Sequence, residues 1–124
     1  MSEILSILVV DDDPSMADTL TDILVVKGFE VHAATCGAEA LQILQEHPVD
    51  IMLTDVRMPD MNGVELYRAT RKTHPKLRTF LMTAYSDDEI IQKGMAEGIK
   101  TVFNKPVDIN LLVSIFSVCK RIRA

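Results

Sequence analysis

One stretch constrains this chain more than any other. In Ile51-Met52-Leu53-Thr54-Asp55-Val56-Arg57-Met58-Pro59-Asp60-Met61-Asn62-Gly63 an apolar run ends at a carboxylate and then breaks into turns marked by Pro and Gly. That pattern describes a buried strand delivering Asp55 to a loop. A buried strand followed by a loop and then a helical pattern is how a parallel sheet presents chemistry, because sites collect outside the carboxyl ends of its strands. Asp55 is the first candidate for function.

The same scheme recurs along the chain. Ser6 to Val10 is a run of Ser, Ile, Leu and Val bounded by Asp11-Asp12-Asp13, which fits a central strand buried on both faces. Asp13 precedes Pro14, a residue favoured at a first helical position, so Asp13 is the expected N-cap of a helix reaching about Lys27. Met16, Leu20, Ile23 and Leu24 form its apolar face, and Gly28 stops it. A second strand over Glu30–Ala34 and a second helix from Gly37 to about Glu46 follow, with Ala40, Leu41 and Leu44 inward and Pro48 ending the unit. The third strand is Ile51 to Thr54, and the third helix runs from about Val64 to Thr73, closed by His74-Pro75. Thr79 to Met82 is a fourth strand, and Ser86 or Asp87 caps a fourth helix reaching about Glu97 and ended by Gly98. Thr101 to Asn104 and Ile109 to Arg121 complete the series. Five strands alternating with five helices imply an α/β fold with a parallel sheet, right-handed crossovers and helices on both faces.

The length of 124 residues suits one domain, and 48% hydrophobic with 25% charged residues is ordinary globular usage, so one domain over residues 1–124 is expected. The N-terminus lacks a basic start and a small-residue cleavage site, and no segment approaches the roughly 20 apolar residues that span a bilayer, so a soluble cytoplasmic protein is expected. Cys36 and Cys119 have no metal-like spacing and receive no role. A net charge of -5 argues against direct nucleic-acid binding, which rests on a basic face. Lys120, Arg121 and Arg123 read as cations complementing the C-terminal dipole of the last helix.

The residues that follow the strands carry the chemistry. They are Asp11 and Asp12 after the first, Asp55 after the third, Thr83 after the fourth and Lys105 after the fifth. Carboxylates in one pocket repel by roughly 4 kcal/mol per pair at about 4 Å and an effective dielectric near 20, so either one is protonated or a cation sits among them. Mg²⁺ suits the second case, being held by one or two carboxylates, waters and phosphate oxygens. It would let an anionic phosphoryl donor approach an aspartate nucleophile. Phosphoryl transfer asks mainly for positioning and charge stabilisation. Asp55 would supply the nucleophile, and Lys105 and Thr83 would meet phosphoryl oxygens.

The set Val9-Val10-Asp11-Asp12, then Asp55 with Met58-Pro59-Asp60-Met61-Asn62-Gly63, then Met82-Thr83-Ala84, then Asn104-Lys105-Pro106 resembles the receiver domain of two-component response regulators over nearly the whole chain. The resemblance implies a flavodoxin-like (βα)5 fold of strand order 2-1-3-4-5, an order the family itself illustrates. It implies that Asp55 accepts a phosphoryl group from a histidine-kinase phosphohistidine, that Asp12 ligates Mg²⁺ directly and Asp11 through water, and that the Arg57 carbonyl completes the protein ligands. It also implies phosphoryl-oxygen binding by Thr83 and Lys105, and a cis Lys105-Pro106 bond. Partners would be a sensor histidine kinase or phosphotransfer protein and a downstream output domain or target. Such a domain is a phosphoacceptor rather than an enzyme, with chemistry limited to its own phosphorylation and dephosphorylation.

Departures from the family pattern matter as well. The usual aromatic three residues before the lysine is Val102, and Phe103 beside it points to the other face of a regular strand. Val107 replaces the usual Phe after Lys-Pro, which loosens that corner. Arg57 and Tyr85 flank the site without a group suited to position an attacking water, which predicts slow self-dephosphorylation. Leu111, Leu112, Val113, Ile115, Phe116, Val118 and Cys119 cover more than one face of the last helix, which reads either as two-sided packing or as a partner or dimer surface made with helix four and strand five.

Plainer readings stand beside these. Asp13 is a cap, Asp60 and Asn62 serve the turn before Gly63, and His32, His47 and His74 are ordinary residues. Met52, Met58 and Met82 are packing, and Asp11 to Asp22 lacks the glycine and glutamate of a calcium loop. Two other functions compete. One is a phosphohydrolase resembling the haloacid-dehalogenase group, with Asp11 as nucleophile, Asp13 as general acid and further acids such as Asp87-Asp88; the other is a pseudo-receiver that only binds. An output domain beyond Ala124 or a stand-alone regulator are equally compatible with the sequence.

Overall fold

The computed structural model describes residues 4–84 and 89–119. Five strands and five helices alternate: β1 Ser6–Val10, α1 Pro14–Val26, β2 Glu30–Ala34, α2 Gly37–Glu46, β3 Ile51–Asp55, α3 Gly63–Arg71, β4 Arg78–Thr83, α4 Glu89–Ala96, β5 Thr101–Asn104 and α5 Ile109–Ser117. The strands form one sheet of order β2-β1-β3-β4-β5 with every pairing parallel. This is the flavodoxin-like arrangement, and the order in which strands are added across the sheet reverses between β1 and β3. In open α/β sheets ligands bind at such a switch point, outside the carboxyl ends of the strands.

Burial follows from strand position. Every residue of β1 and β3 is buried, as continuous apolar runs at the centre of a two-faced sheet should be. The outer strands β2 and β5 carry exposed Glu30 and Asn104. Side chains alternate across the sheet, so Ile7, Val9, Ile51, Leu53, Phe80, Met82 and Phe103 face α1 and α5, where Leu20, Leu24, Leu112 and Phe116 cover them. Leu8, Val10 and Met52 face the other way, onto Ala40, Leu44 and Leu66 of α2 and α3. Toward β5, Val56, Val64, Leu81, Ile91 and Ile99 form a third cluster, against which Tyr67, Ile90 and Val102 pack. Val102 and Phe103 thus lie on opposite faces without a bulge, and the Phe103 ring stacks edge-on to Phe116 with centroids 6.3 Å apart.

Two strands are longer than the apolar pattern indicates. β3 includes Asp55, paired with Met82, and β4 includes Thr83, paired with Asn104. A polar side chain ends the hydrophobic run, but its backbone still completes the ladder. Caps account for the helix starts: Asp13 accepts from Ser15 N at 3.0 Å as expected, and Asp108 accepts from Leu111 N at 3.1 Å. Asn62 and Glu65 form a reciprocal capping box at α3, each bond 2.8 Å. Gly28 follows α1 with φ +101°.

Some expectations need correction. Met16 is 41% exposed; Ala17, Leu20 and Leu24 are the buried positions of α1. Helix α5 ends at Ser117 with Val118 as C-cap, short of Arg121, and Leu112 and Phe116 alone are buried in it. α3 ends at Arg71 with Lys72 as C-cap, two positions before Thr73. The proposed cap at Ser86 or Asp87, Tyr85, and the basic cluster at Lys120, Arg121 and Arg123 lie outside the described residues. No helix among the described residues is long and apolar enough to cross a membrane.

Candidate functional site

β1 and β3 lie side by side, with Val10 opposite Thr54, so the residues that end them meet at the switch between the two halves of the sheet. Asp11 follows β1 and is fully buried, whereas Asp12 is exposed. Asp55 closes β3 and retains 8% of its accessible surface. Each of these three aspartates offers an oxygen within 4.8 Å of those of the other two.

The loop after β5 brings the counter-charge. Lys105 N donates to Thr83 O at 2.8 Å, which ties that loop to the end of β4. From there Lys105 Nζ donates to Asp55 Oδ2 at 3.0 Å and to Asp11 Oδ2 at 3.3 Å. The Lys105-Pro106 bond is cis, as the family resemblance implied. Thr83, at the same edge, is 2% exposed. Asp11 is held further by Asp13 N, which donates to its Oδ1 at 3.0 Å. Asp11, Asp12, Asp55, Thr83 and Lys105 thus meet at one sheet edge despite spanning positions 11 to 105. Arg57 sits two residues beyond Asp55 in the exposed loop.

Burial and crowding set the electrostatics of the pocket. Burial raises the Asp55 pKa from its ordinary 3.8 to about 6, and the charges of Asp11 and Asp12 push the same way, while the Lys105 hydrogen bond and charge only partly offset them. Burial disfavours the Lys105 ammonium, but the hydrogen bond and charge of Asp55 and the charge of Asp11 outweigh it, and its pKa rises. One lysine against three carboxylates leaves an anionic, all-oxygen pocket. That donor set fits a hard divalent cation such as Mg²⁺.

The loop between Asp55 and α3 is built for close approach. Gly63 N donates to Val56 O at 2.8 Å, and a Cβ on Gly63 would lie 2.6 Å from the Asp55 carbonyl oxygen, so α3 can start against the end of β3 only with glycine there. Sequence reasoning missed the role of Asp60. Its carboxylate accepts from Gly37 N at 3.1 Å and Ala38 N at 3.0 Å, capping α2 from 23 positions downstream, and these bonds hold its pKa below the ordinary carboxylate value. The available signal was Cys36 at the N-cap of α2, which makes no side-chain capping bond. Beside Lys105, Val107 lines an apolar groove of about 210 Å³ with Met16, Leu20 and Pro106, at the corner where the sequence predicted looser packing. His47 and His74 line a separate depression of about 560 Å³ near Pro48 and Pro75, and Asp11, Asp12 and Asp55 take no part in it.

Fold and site together define a class: a flavodoxin-like α/β domain with an acidic, lysine-bearing pocket at its switch point. Residues 7–117 match the response regulator receiver domain model, and the chain belongs to that family. It is 32% identical over 104 residues to sporulation initiation phosphotransferase F of Bacillus subtilis, covering 84% of each chain. A CheY-like response regulator receiver domain protein from Methanospirillum hungatei superposes with a TM-score of 0.87 at 29% identity, over 92% of this chain and 91% of that one. The chain is also 32% identical over 108 residues, 87% of its length, to the cyclic di-GMP phosphodiesterase of Thermotoga maritima, but spans only 29% of that protein and a similar share of other long relatives. These matches favour neither the hydrolase built on Asp11 nor the binding-only module.

Proposed function

We propose that this chain is a phosphoryl-accepting receiver in which Asp55 is the acceptor, Asp12 and Asp55 with the Arg57 carbonyl hold Mg²⁺, Asp11 supports it through water, and Thr83 and Lys105 bind the phosphoryl oxygens. One observation carries the reading: three aspartates and the Lys105 ammonium from three separate segments meet at the carboxyl edge of the sheet. Asp11 is already engaged by Asp13 N and Lys105, which leaves exposed Asp12 the freer ligand. With a pKa of about 6, Asp55 is mostly ionised at pH 7 and can act as a nucleophile. Its carboxylate oxygen forms the new bond to phosphorus as the bond to the donor imidazole nitrogen breaks and its electron pair stays with the leaving ring. Bound Mg²⁺ supplies charge neutralisation for the incoming phosphoryl group. The Lys105 ammonium, already aimed at Asp55, exchanges part of that contact for a phosphoryl oxygen, and the Thr83 hydroxyl donates to another.

The acyl phosphate then biases a partner surface, so the domain is a switch rather than a turnover enzyme. Its partners on this reading are a sensor histidine kinase or phosphotransfer protein and an output domain or target, in the cytoplasm. Self-association uses α4, β5 and α5, where Met95 is 46%, Leu111 50% and Val118 80% exposed. Light scattering that finds only monomers, free and phosphorylated, would remove that part.

Intact-mass analysis after incubation with acetyl phosphate tests the core of the reading. One added phosphoryl group is expected, dependent on Mg²⁺ and absent in Asp55→Asn. An adduct that survives Asp55→Asn would move the nucleophile elsewhere, and no adduct in the wild type would overturn the proposal.

A further inference from the structure

Helix α4 follows Thr83 in sequence and is fastened to α3 at its far end. A Cβ on Gly94 would lie 2.7 Å from both Val64 Cγ2 and Ile99 Cδ1, so the helices approach there as closely as glycine allows. The Tyr67 hydroxyl of α3 donates to Glu97 O, in the turn that closes α4, at 2.7 Å. Gly98 follows with φ +121°, and a Cβ there would come within 2.5 Å of the Tyr67 hydroxyl oxygen, so both backbone and space reserve the position for glycine. The Glu97 carboxylate accepts from Arg68 Nε at 2.9 Å and Nη2 at 2.6 Å, and Arg71 Nη1 lies 3.1 Å from it. These ion pairs are exposed, with the Arg68 side chain 43% accessible, and add little on their own. The half-buried Tyr67 bond is the stronger fastening.

α3 is itself rooted beside Asp55 through Gly63. At the start of α4, Ile90 and Ile91 pack against Val56 and Leu81. At Val102, where receivers usually carry an aromatic ring, β5 offers only a half-buried aliphatic to the same cluster that Tyr67 joins.

We propose that Tyr67 is a positioning residue that makes the C-terminal end of α4 a fixed pivot. A change at Asp55 and Thr83 re-aims residues 89–93, while residues 94–99 keep their place on α3. The pivot rests on the phosphoacceptor reading above. It gives this chain a route from the site to the α4 face that needs no aromatic on β5.

Amide hydrogen exchange on the full chain, free and held phosphorylated with acetyl phosphate and Mg²⁺, tests it against Tyr67→Phe, which keeps the ring and loses only the hydroxyl. In the wild type, phosphorylation is expected to change protection in residues 89–93 and to leave 94–99 within about twofold. In Tyr67→Phe, 94–99 should exchange roughly three- to tenfold faster in the free chain, the effect of one lost hydrogen bond, and the phosphorylation-dependent change should spread into them. Adduct formation by intact mass should match the wild type, and Arg68→Ala should stay within about twofold of it throughout. A wild-type response as large at 94–99 as at 89–93 would overturn the pivot. So would equal acceleration in both states of Tyr67→Phe without spread, or an Arg68→Ala that reproduces the Tyr67→Phe pattern. A wild type that takes up no phosphoryl group overturns the phosphoacceptor reading and the pivot with it, and the mass spectrum shows which has failed.

Discussion

An ionised Asp55 is costly in the fold when no cation binds beside it. Its pKa rises from 3.8 to about 6 on folding, so between about pH 4 and pH 6 the native state binds more protons than the unfolded chain. Stability supplied by this residue is therefore full below about pH 4 and falls as pH rises through about 6. Asp55→Asn should raise unfolding stability at pH 7 in EDTA by about 1–3 kcal/mol and by much less at pH 4. Urea titrations at the two pH values measure this, and an equal gain at both would refute the electrostatic account. The residues of this pocket were legible in the sequence because each follows an apolar strand, and parallel strands bring such positions to one edge. Tyr67 and Asp60 were not. A hydroxyl bonded to a backbone oxygen 30 positions away leaves no mark in local pattern or periodicity.

At the scale of elements, α2 begins on a borrowed cap. The helix has no side-chain cap at Cys36, and Asp60 of the β3–α3 loop supplies it. Asp60→Ala should cost about 1 kcal/mol in urea unfolding at pH 7. Because the Asp60 pKa is lowered in the fold, its contribution is present above the unfolded value near 3.8 and lost as pH falls through the folded one. The variant and the wild type should therefore converge in acid, and a difference that persists at pH 2 would argue for a packing defect instead. Strand and helix identities were readable from apolar runs, caps and Gly or Pro stops, down to Asp13 before Pro14. The ends of β3 and β4 were misplaced because hydrophobicity stops one residue before backbone pairing does at Asp55 and Thr83. Met16 was misplaced for a different reason. It has helical spacing with Leu20, but it lines the groove at Pro106 and Val107 and stays exposed there.

For the whole molecule, folding and ion binding are linked. A divalent ion that binds the native pocket and not the unfolded chain stabilises the fold by about 2.7 kcal/mol at 100 times its Kd. Mg²⁺ should raise the thermal midpoint at pH 7 by several degrees, and Asp12→Ala, which removes an exposed carboxylate, should abolish most of that shift. An undiminished shift in Asp12→Ala would place the ion elsewhere. The α/β class was readable from the alternation of elements. The strand order was not, since periodicity says that strands are parallel and central without saying which neighbours which, and it came from family resemblance. The crowding of Asp11, Asp12 and Asp55 also sets two kinds of selection against each other. A population of variants sorted for thermal survival in chelator should drift toward amides at these positions, because nothing in the fold needs three acids there. A population sorted for response to a phosphoryl donor should keep them, so the acids record what the chain has been selected to do rather than how it holds together.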